Sequence, residues 1–274
     1  MIKKVCSVAI LLVLAMAGMA QSEVKKLDRS KKFYAYWGWN RSSYTKSDIR
    51  VFGDDHDITL SDVEANDLQS KFDLKTYFFV TRISIPQTNL KVGYYLNEKY
   101  SVAAGFDHMK YKIVNGQTVK VSGTINRDGS PFNGNYDNQD VVITNEFLRY
   151  NHTDGLNYVF GEINRHDEWL DLAQSKLRIS SEVGVGIALL RPRTDVVFLS
   201  RKGPNVYHNA GYGVNAKVGV NLLLFNHISI MSELKPGYIN MQHIQATAKK
   251  DGHASQHFGF LQYNILLGAT FGIK

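Results

Sequence analysis

The chain has 274 residues, is 44% apolar and 12% aromatic, and carries a formal net charge of +7. Its single cysteine, Cys6, lies in the first apolar stretch, so the sequence beyond it offers no disulfide, no thiolate nucleophile and no cysteine-based zinc site. No lysine/arginine block marks a nucleic-acid surface, and the charge falls to +5 once Lys3 and Lys4 are subtracted from +7.

Those two lysines begin a three-part export pattern: a basic start, an apolar stretch from Val5 to Met16, and small residues in Ala17-Gly18-Met19-Ala20. The stretch is shorter than the roughly 20 residues a spanning helix needs. Residues 1–20 therefore read as a cleaved signal peptide, and residues 21–274 as one exported domain with no linker or internal repeat. Past the signal no apolar run is long enough for a membrane helix, and alternation takes over. It runs through Phe33–Arg41, Leu90–Leu96 and Tyr100–Phe106. Leu156–Ile163 follows as a weaker strand, because Glu162 shares its face with Leu156, Tyr158 and Phe160. In Ile179–Leu189, residues Ile179, Val183, Val185, Ile187 and Leu189 lie opposite Ser180, Glu182, Gly184, Gly186 and Ala188. Tyr212–Leu222 is cleaner still, with Tyr212, Val214, Ala216, Val218, Val220 and Leu222 on one side and Gly213, Asn215, Lys217, Gly219 and Asn221 on the other. Ile228–Tyr238 and Leu261–Ile273 complete the set. A period of two is the mark of a strand with one apolar face.

Eight such segments are joined by connections that alternate in length. Asn97-Glu98-Lys99, Asp171–Lys176 and Phe225-Asn226-His227 are short; Ser42–Asn89, Asn115–Gly155, Pro192–Ala210 and Met241–His257 are long. Short periplasmic turns and long outer loops are the pattern of an all-β, antiparallel, up-and-down transmembrane barrel. A soluble barrel or sandwich also has alternating strands, but it hides its apolar side chains inside. Here the polar face is rich in glycine and small residues, which suits a narrow lumen, with the large residues in lipid. Trp37, Trp39, Tyr94, Phe106, Tyr158, Tyr212, Tyr238 and Phe271 stand near strand ends, where aromatic girdles form. Pro236 is at odds with a closed ladder and is expected at the outer rim.

At this point the chain resembles the small eight-stranded outer-membrane barrels, a group that includes adhesion-type barrels and lipid A deacylases. Phe33-Tyr-Ala-Tyr-Trp-Gly-Trp-Asn40, Phe106-Asp-His-Met-Lys-Tyr111 and His152-Thr-Asp-Gly-Leu-Asn-Tyr158 are similar to segments of an uncharacterised barrel family common in Bacteroidota. The resemblance spans nearly all of residues 21–274 and implies an outer-membrane address without an activity. One departure is the C-terminus, Phe271-Gly-Ile-Lys274, where such barrels commonly end on an aromatic residue.

Charges on the polar face carry the main chemical signal. Asp107, Glu182, Lys217, Glu233 and Lys235 share parity with their strands' glycines and lie at similar depth, which points to an interior salt-bridge network plugging the lumen. An ion or proton pathway is the sharper alternative. The resemblance to lipid A deacylases implies a His-x-Ser pair with a carboxylate; His253-Ala-Ser255 matches the pair, and His208 lies in a similar setting with asparagine in place of serine. A lipid-modifying hydrolase is accordingly the runner-up to a structural or adhesion-like barrel. Asp54-Asp55-His56-Asp57 and the stretch 133–140 gather oxygen ligands without the spaced calcium loop and its closing glutamate, so no metal or other cofactor is expected. Tyr77-Phe-Phe-Val80 and Ile83-Ser-Ile85 make the first long loop too apolar for a free tail; an exposed sheet and a lid are both open. The expected partners are outer-membrane lipid or lipopolysaccharide around the barrel and an extracellular protein or glycan at the loops.

Overall fold

A computed structural model describes residues 27–78, 85–172, 176–246 and 252–272. Residues 1–20, expected to be a signal peptide, lie outside the described residues, as do residues 79–84 and Ile273. In chain order the elements are β1 (Lys32–Tyr44), β2 (Ser47–Gly53), β3 (His56–Val63), β4 (Ala65–Asn66), α1 (Leu74–Phe78), β5 (Thr88–Tyr95), β6 (Tyr100–Ile113), β7 (Thr118–Ile125), β8 (Gly134–Val142), β9 (Leu148–Leu172), β10 (Leu177–Leu190), β11 (Asp195–Phe198), β12 (Arg201–Lys202), β13 (Gly211–Leu224), β14 (Ile228–Gln245) and β15 (His253–Gly272). None of the described helices is long and apolar enough to cross a membrane.

Eight of these strands form an antiparallel wall in the order β1, β5, β6, β9, β10, β13, β14, β15. Pairing of β1 with β15, from Lys32↔Gly272 to Tyr44↔Phe260, closes it, so the wall has no free edge. Each strand carries one of the eight segments read from alternation, with Leu96 just past the end of β5 and Ile273 outside the described residues. The outward rows are apolar: Val183, Val185, Ile187 and Leu189 on β10, Tyr212, Val214, Val218 and Val220 on β13, and Leu261, Tyr263, Leu267 and Phe271 on β15 are all exposed. Their alternate neighbours are buried in the lumen. The three-residue turn after β13 places Phe225 and Asn226 at left-handed φ of 52° and 61°, and the His227 amide closes it on the Leu224 carbonyl at 3.0 Å.

Two expectations need correction. Tyr158 is not in a girdle: it is fully buried inside, because β9 turns its Tyr158, Phe160 and Glu162 row inward and Val159 and Ile163 outward. Nor is Pro236 at the outer rim, since β14 runs on to Gln245. The ladder with β13 passes from Asn215↔Gly237 to Val218↔Leu234 with no pairs between, and the proline, which has no N–H to donate, sits in that gap. Its other side keeps register opposite Leu261 of β15.

The long connections are not bare loops. Above the wall, β15 continues upward and pairs with β2 (His253↔Phe52 to Gln256↔Ile49), then β3, β7 and β8 follow in order. β4 pairs with β6, β11 with β9, and β12 with β11. Ile49, Val51, Ile58, Leu60, Val119, Val121, Phe147 and Phe198 of this head are buried in an apolar core that runs on into the upper barrel through Tyr111, Tyr158, Phe160, Leu190 and Phe260. The apolar stretch around Tyr77 does not build the sheet: Tyr77 and Phe78 belong to α1, and the sheet comes from residues 47–63 and 118–142.

Candidate functional site

Alternation on the barrel strands sends every second side chain inward, and eight strands leave an interior that side chains can fill. At the periplasmic mouth, Arg29 lies 3.1 Å from Glu168, while Arg178 reaches Glu168 and Asp171 at 2.8 Å each. Tyr34, Tyr36 and Tyr95 line the same level, and Ser101 Oγ links the Tyr34 hydroxyl at 2.9 Å to His166 Nε2 at 2.8 Å.

The next layer holds the charges. Lys217 Nζ stands 2.5 Å from Glu182, 2.6 Å from Glu162 and 3.4 Å from Glu233. Lys91 lies 3.2 Å from Glu182 and 3.1 Å from Glu233. Lys235 is 2.9 Å from both Asp107 and Glu162, and its ammonium sits 3.6 Å from the centre of the Phe160 ring. All seven side chains are at most 3% exposed. Buried charges left unpaired would cost several kcal/mol each; here every cation touches two or more groups. The structure thus brings Asp107, Glu182, Lys217, Glu233 and Lys235 into one cluster and adds Lys91 and Glu162. Parity carried the signal for both additions. Lys91 alternates with Leu90 and Val92, and Glu162 shares its face with Leu156, Tyr158 and Phe160.

Above that layer Asn89 donates to Asp107, Asn40 Nδ2 donates to Asn89 Oδ1 at 2.9 Å, and His108 Nδ1 meets Asn157 Oδ1 at 2.9 Å. The head core then lies over the barrel's outer end. Among the described residues, layers of buried side chains run from the mouth to the head.

The hydrolytic candidates are not assembled. His253 and Ser255 are both half-buried on β15, and among the described residues no hydrogen bond joins them to each other or to a carboxylate. His208 turns its Nδ1 toward the Val206 carbonyl at 3.1 Å and accepts from the Gln245 amide at 3.3 Å. In the acidic cluster, Asp55 is held by Arg127 at 2.7 Å and by His56 at 2.6 Å, and Asp57 is gripped by Arg50 at 2.7 and 2.8 Å. The Arg127 guanidinium holds the Asp55 carboxyl well below the usual carboxylate range. These carboxylates serve cations of the chain itself, and no group of three or more metal-type side chains gathers among the described residues.

On the head, one sheet face is polar. Arg50, Asp57, Lys120, Ser122 and Thr124 are exposed there, with Thr59 half-buried among them. Arg50 lies over Phe52, 4.9 Å from the ring centre.

A closed wall that is apolar outside and charged inside has a lipid bilayer as its solvent, because lipid offers the backbone no hydrogen-bond partner and closure satisfies every strand. The chain is a transmembrane barrel of the bacterial outer membrane. No family model matches it, and no curated protein matches its sequence. Among solved structures it is similar to the outer-membrane protein OprG from Pseudomonas aeruginosa, at 10% identity over 89% of this chain and 98% of that one, with a TM-score of 0.39. It is also similar to Ail, the attachment invasion locus protein of Yersinia pestis, at 9% identity over 88% and 99% of the two chains, with a TM-score of 0.32. AlkL in lipid bilayers is another, at 8% identity over 92% and 95%, with a TM-score of 0.40. Likeness this remote says nothing of what this chain binds.

Proposed function

We propose that this protein is a structural and surface-binding, adhesion-like barrel: a plugged base that anchors a folded recognition head. The observation that carries the reading is the head, a sheet packed on a buried core continuous with the upper barrel and presenting an outward polar face. A pore needs a clear path, and this lumen holds seven buried charged side chains in one cluster. A bare anchor needs no head. The polar face offers hydroxyls, charges and the half-buried Phe52, which suit an extracellular protein or glycan. Outer-membrane lipid or lipopolysaccharide surrounds the apolar belt. Phe33–Asn40 and the two other segments similar to the Bacteroidota barrels lie in the wall and its upper continuation, so that kinship concerns the base rather than the ligand.

Purified barrel in planar bilayers is expected to give no stepwise ion conductance; reproducible unitary steps would overturn the plugged base. For the head, cells displaying the protein are expected to adhere to spots on glycan and matrix-protein arrays. The double substitution Thr59→Arg and Ser122→Glu should abolish that adhesion while the barrel still migrates as a folded species on unheated gels. Undiminished adhesion of the double variant would move the binding site off this face.

A further inference from the structure

We infer that residues 68–78 are an interfacial membrane anchor, which seats Phe72, Leu74 and Phe78 among the acyl chains of the outer leaflet. The segment leaves the head after β4 and comes to rest on the outer wall of the barrel. On β1, Tyr36 and Asn40 are buried in the lumen, so Trp37 and Trp39 point outward. The Phe78 ring centre is 5.0 Å from that of Trp39 and 6.1 Å from that of Trp37, and Tyr77 is 5.9 Å from Trp39. Trp37 sits in the wall between Leu90 and Leu267, both exposed on the lipid side. From Lys32 to Trp37 the strand rises about 17 Å along its length, or roughly 13 Å across the membrane at a tilt of about 40°. The apolar band of such barrels is about 25 Å tall. Trp37 thus stands about half-way up the band and Trp39 in its outer half, so Phe78, packed on both, reaches the band itself.

Phe72 is 72% exposed, Leu74 66% and Phe78 47%. Leu74 and Phe78, four residues apart, share one face of the helical turn. Three large apolar side chains this bare in one short segment mark an interaction surface. The backbone is prepared for an apolar setting. Asp73 caps the turn by accepting from the Thr76 amide at 2.9 Å, the Tyr77 hydroxyl donates to the Ser70 carbonyl at 2.8 Å, and Arg41 reaches the Tyr77 oxygen at 3.1 Å. Ser42 N donates to Asp67 at 2.9 Å, which ties the start of the segment to β1. Lys71 and Lys75 are exposed and long enough to keep their ammonium groups at the headgroups. Lipid is the occupant because the patch continues the belt. A protein seated on Phe78 would have to displace the lipid that already covers Leu90 and Leu267.

With its one cysteine at position 6, the chain beyond the leader can be labelled at single sites. Phe72→Cys and Leu74→Cys, each carrying an NBD fluorophore, would be refolded into phosphatidylcholine vesicles beside Gln139→Cys on the head. Folding is checked by unheated gel migration. At positions 72 and 74 the emission should be blue-shifted, quenched by acyl-chain spin-labelled lipid and protected from aqueous iodide, with the reverse at 139. Iodide quenching at 72 and 74 equal to that at 139, in vesicles that contain no other protein, would overturn the anchor. Because the probe is lipid alone, this result does not depend on whether the head binds a partner.

Discussion

Gly105 faces the lumen directly opposite Phe160, and a Cβ there would lie 2.3 Å from the Phe160 Cζ and 2.5 Å from the Leu90 carbonyl. Gly93 stands in the same relation to Tyr34, Gly268 to Tyr36 and Gly237 to Phe260. The glycines of the inner wall are thus the floor on which neighbouring rings lie, and the large residues are not confined to the lipid side. Gly105→Leu should cost about 1–3 kcal/mol through overpacking, read by urea titration in lipid vesicles. Gly161→Leu, which meets open space on the outer face, should cost far less. In the charged layer, Lys217→Met should cost about 3–5 kcal/mol by stranding buried carboxylates, and Glu182→Gln should cost less, because Lys91 and Lys217 both keep Glu233. The double variant should lose less than the sum, since the 2.5 Å pair disappears together. Strict additivity in the same titration would show that the two do not act as a pair. Glu162 and Glu233 also reach Lys217, so the Glu182 change alone leaves the ammonium partly matched and the cycle is best repeated with Glu162.

At the scale of elements, the head is held to itself by a small number of ties, and one of them titrates. Arg127 grips Asp55 through two nitrogens, at 2.7 and 2.8 Å, from the start of the β7–β8 connection. Its hydrogen bonds lower the Asp55 carboxyl below its ordinary value of 3.8. A carboxyl depressed in the folded state stabilises at every pH above its unfolded value, and the gain fades as pH falls below that value toward the folded one. The β2–β3 turn should therefore exchange its amide hydrogens faster below about pH 4, and Arg127→Gln should show faster exchange already at neutral pH with a flatter acid dependence. Unchanged exchange at the turn in Arg127→Gln would mean the tie holds nothing. The head strands were hard to read beforehand for a physical reason. Ile49, Val51, Ile58 and Leu60 do alternate, but β2 and β3 are short and their outward residues are those that turns also favour.

For the whole molecule, closure sets the topology: even strand number and antiparallel pairing put both ends of the wall on the side of the short turns. Cysteines placed at Asp128 and Lys202, both exposed in the head, should react with an impermeant reagent on intact cells, while one at Glu98, exposed in the β5–β6 turn, should not. Labelling of Glu98→Cys alone would invert the orientation.

The sequence by itself determined the eight wall strands, the inward and outward faces of all of them but β9, and the side of the long connections, because a barrel in lipid writes its solvent into every second residue. Parity also picked out five of the seven clustered charges, without Lys91 and Glu162. It could not tell which of them meet: Lys217 touches three carboxylates from β9, β10 and β14, and such contacts follow from shear and closure, which no single strand records. Tertiary structure alone decided that Tyr158 lies inside, since its neighbour Val159 takes the lipid face and Gly213 makes room for the ring. It alone let Pro236 stand in mid-strand, by opening the ladder to β13 at that point. It also turned the long connections into a head and laid α1 against Trp37 and Trp39, because these arrangements depend on surfaces that exist only once the wall has closed.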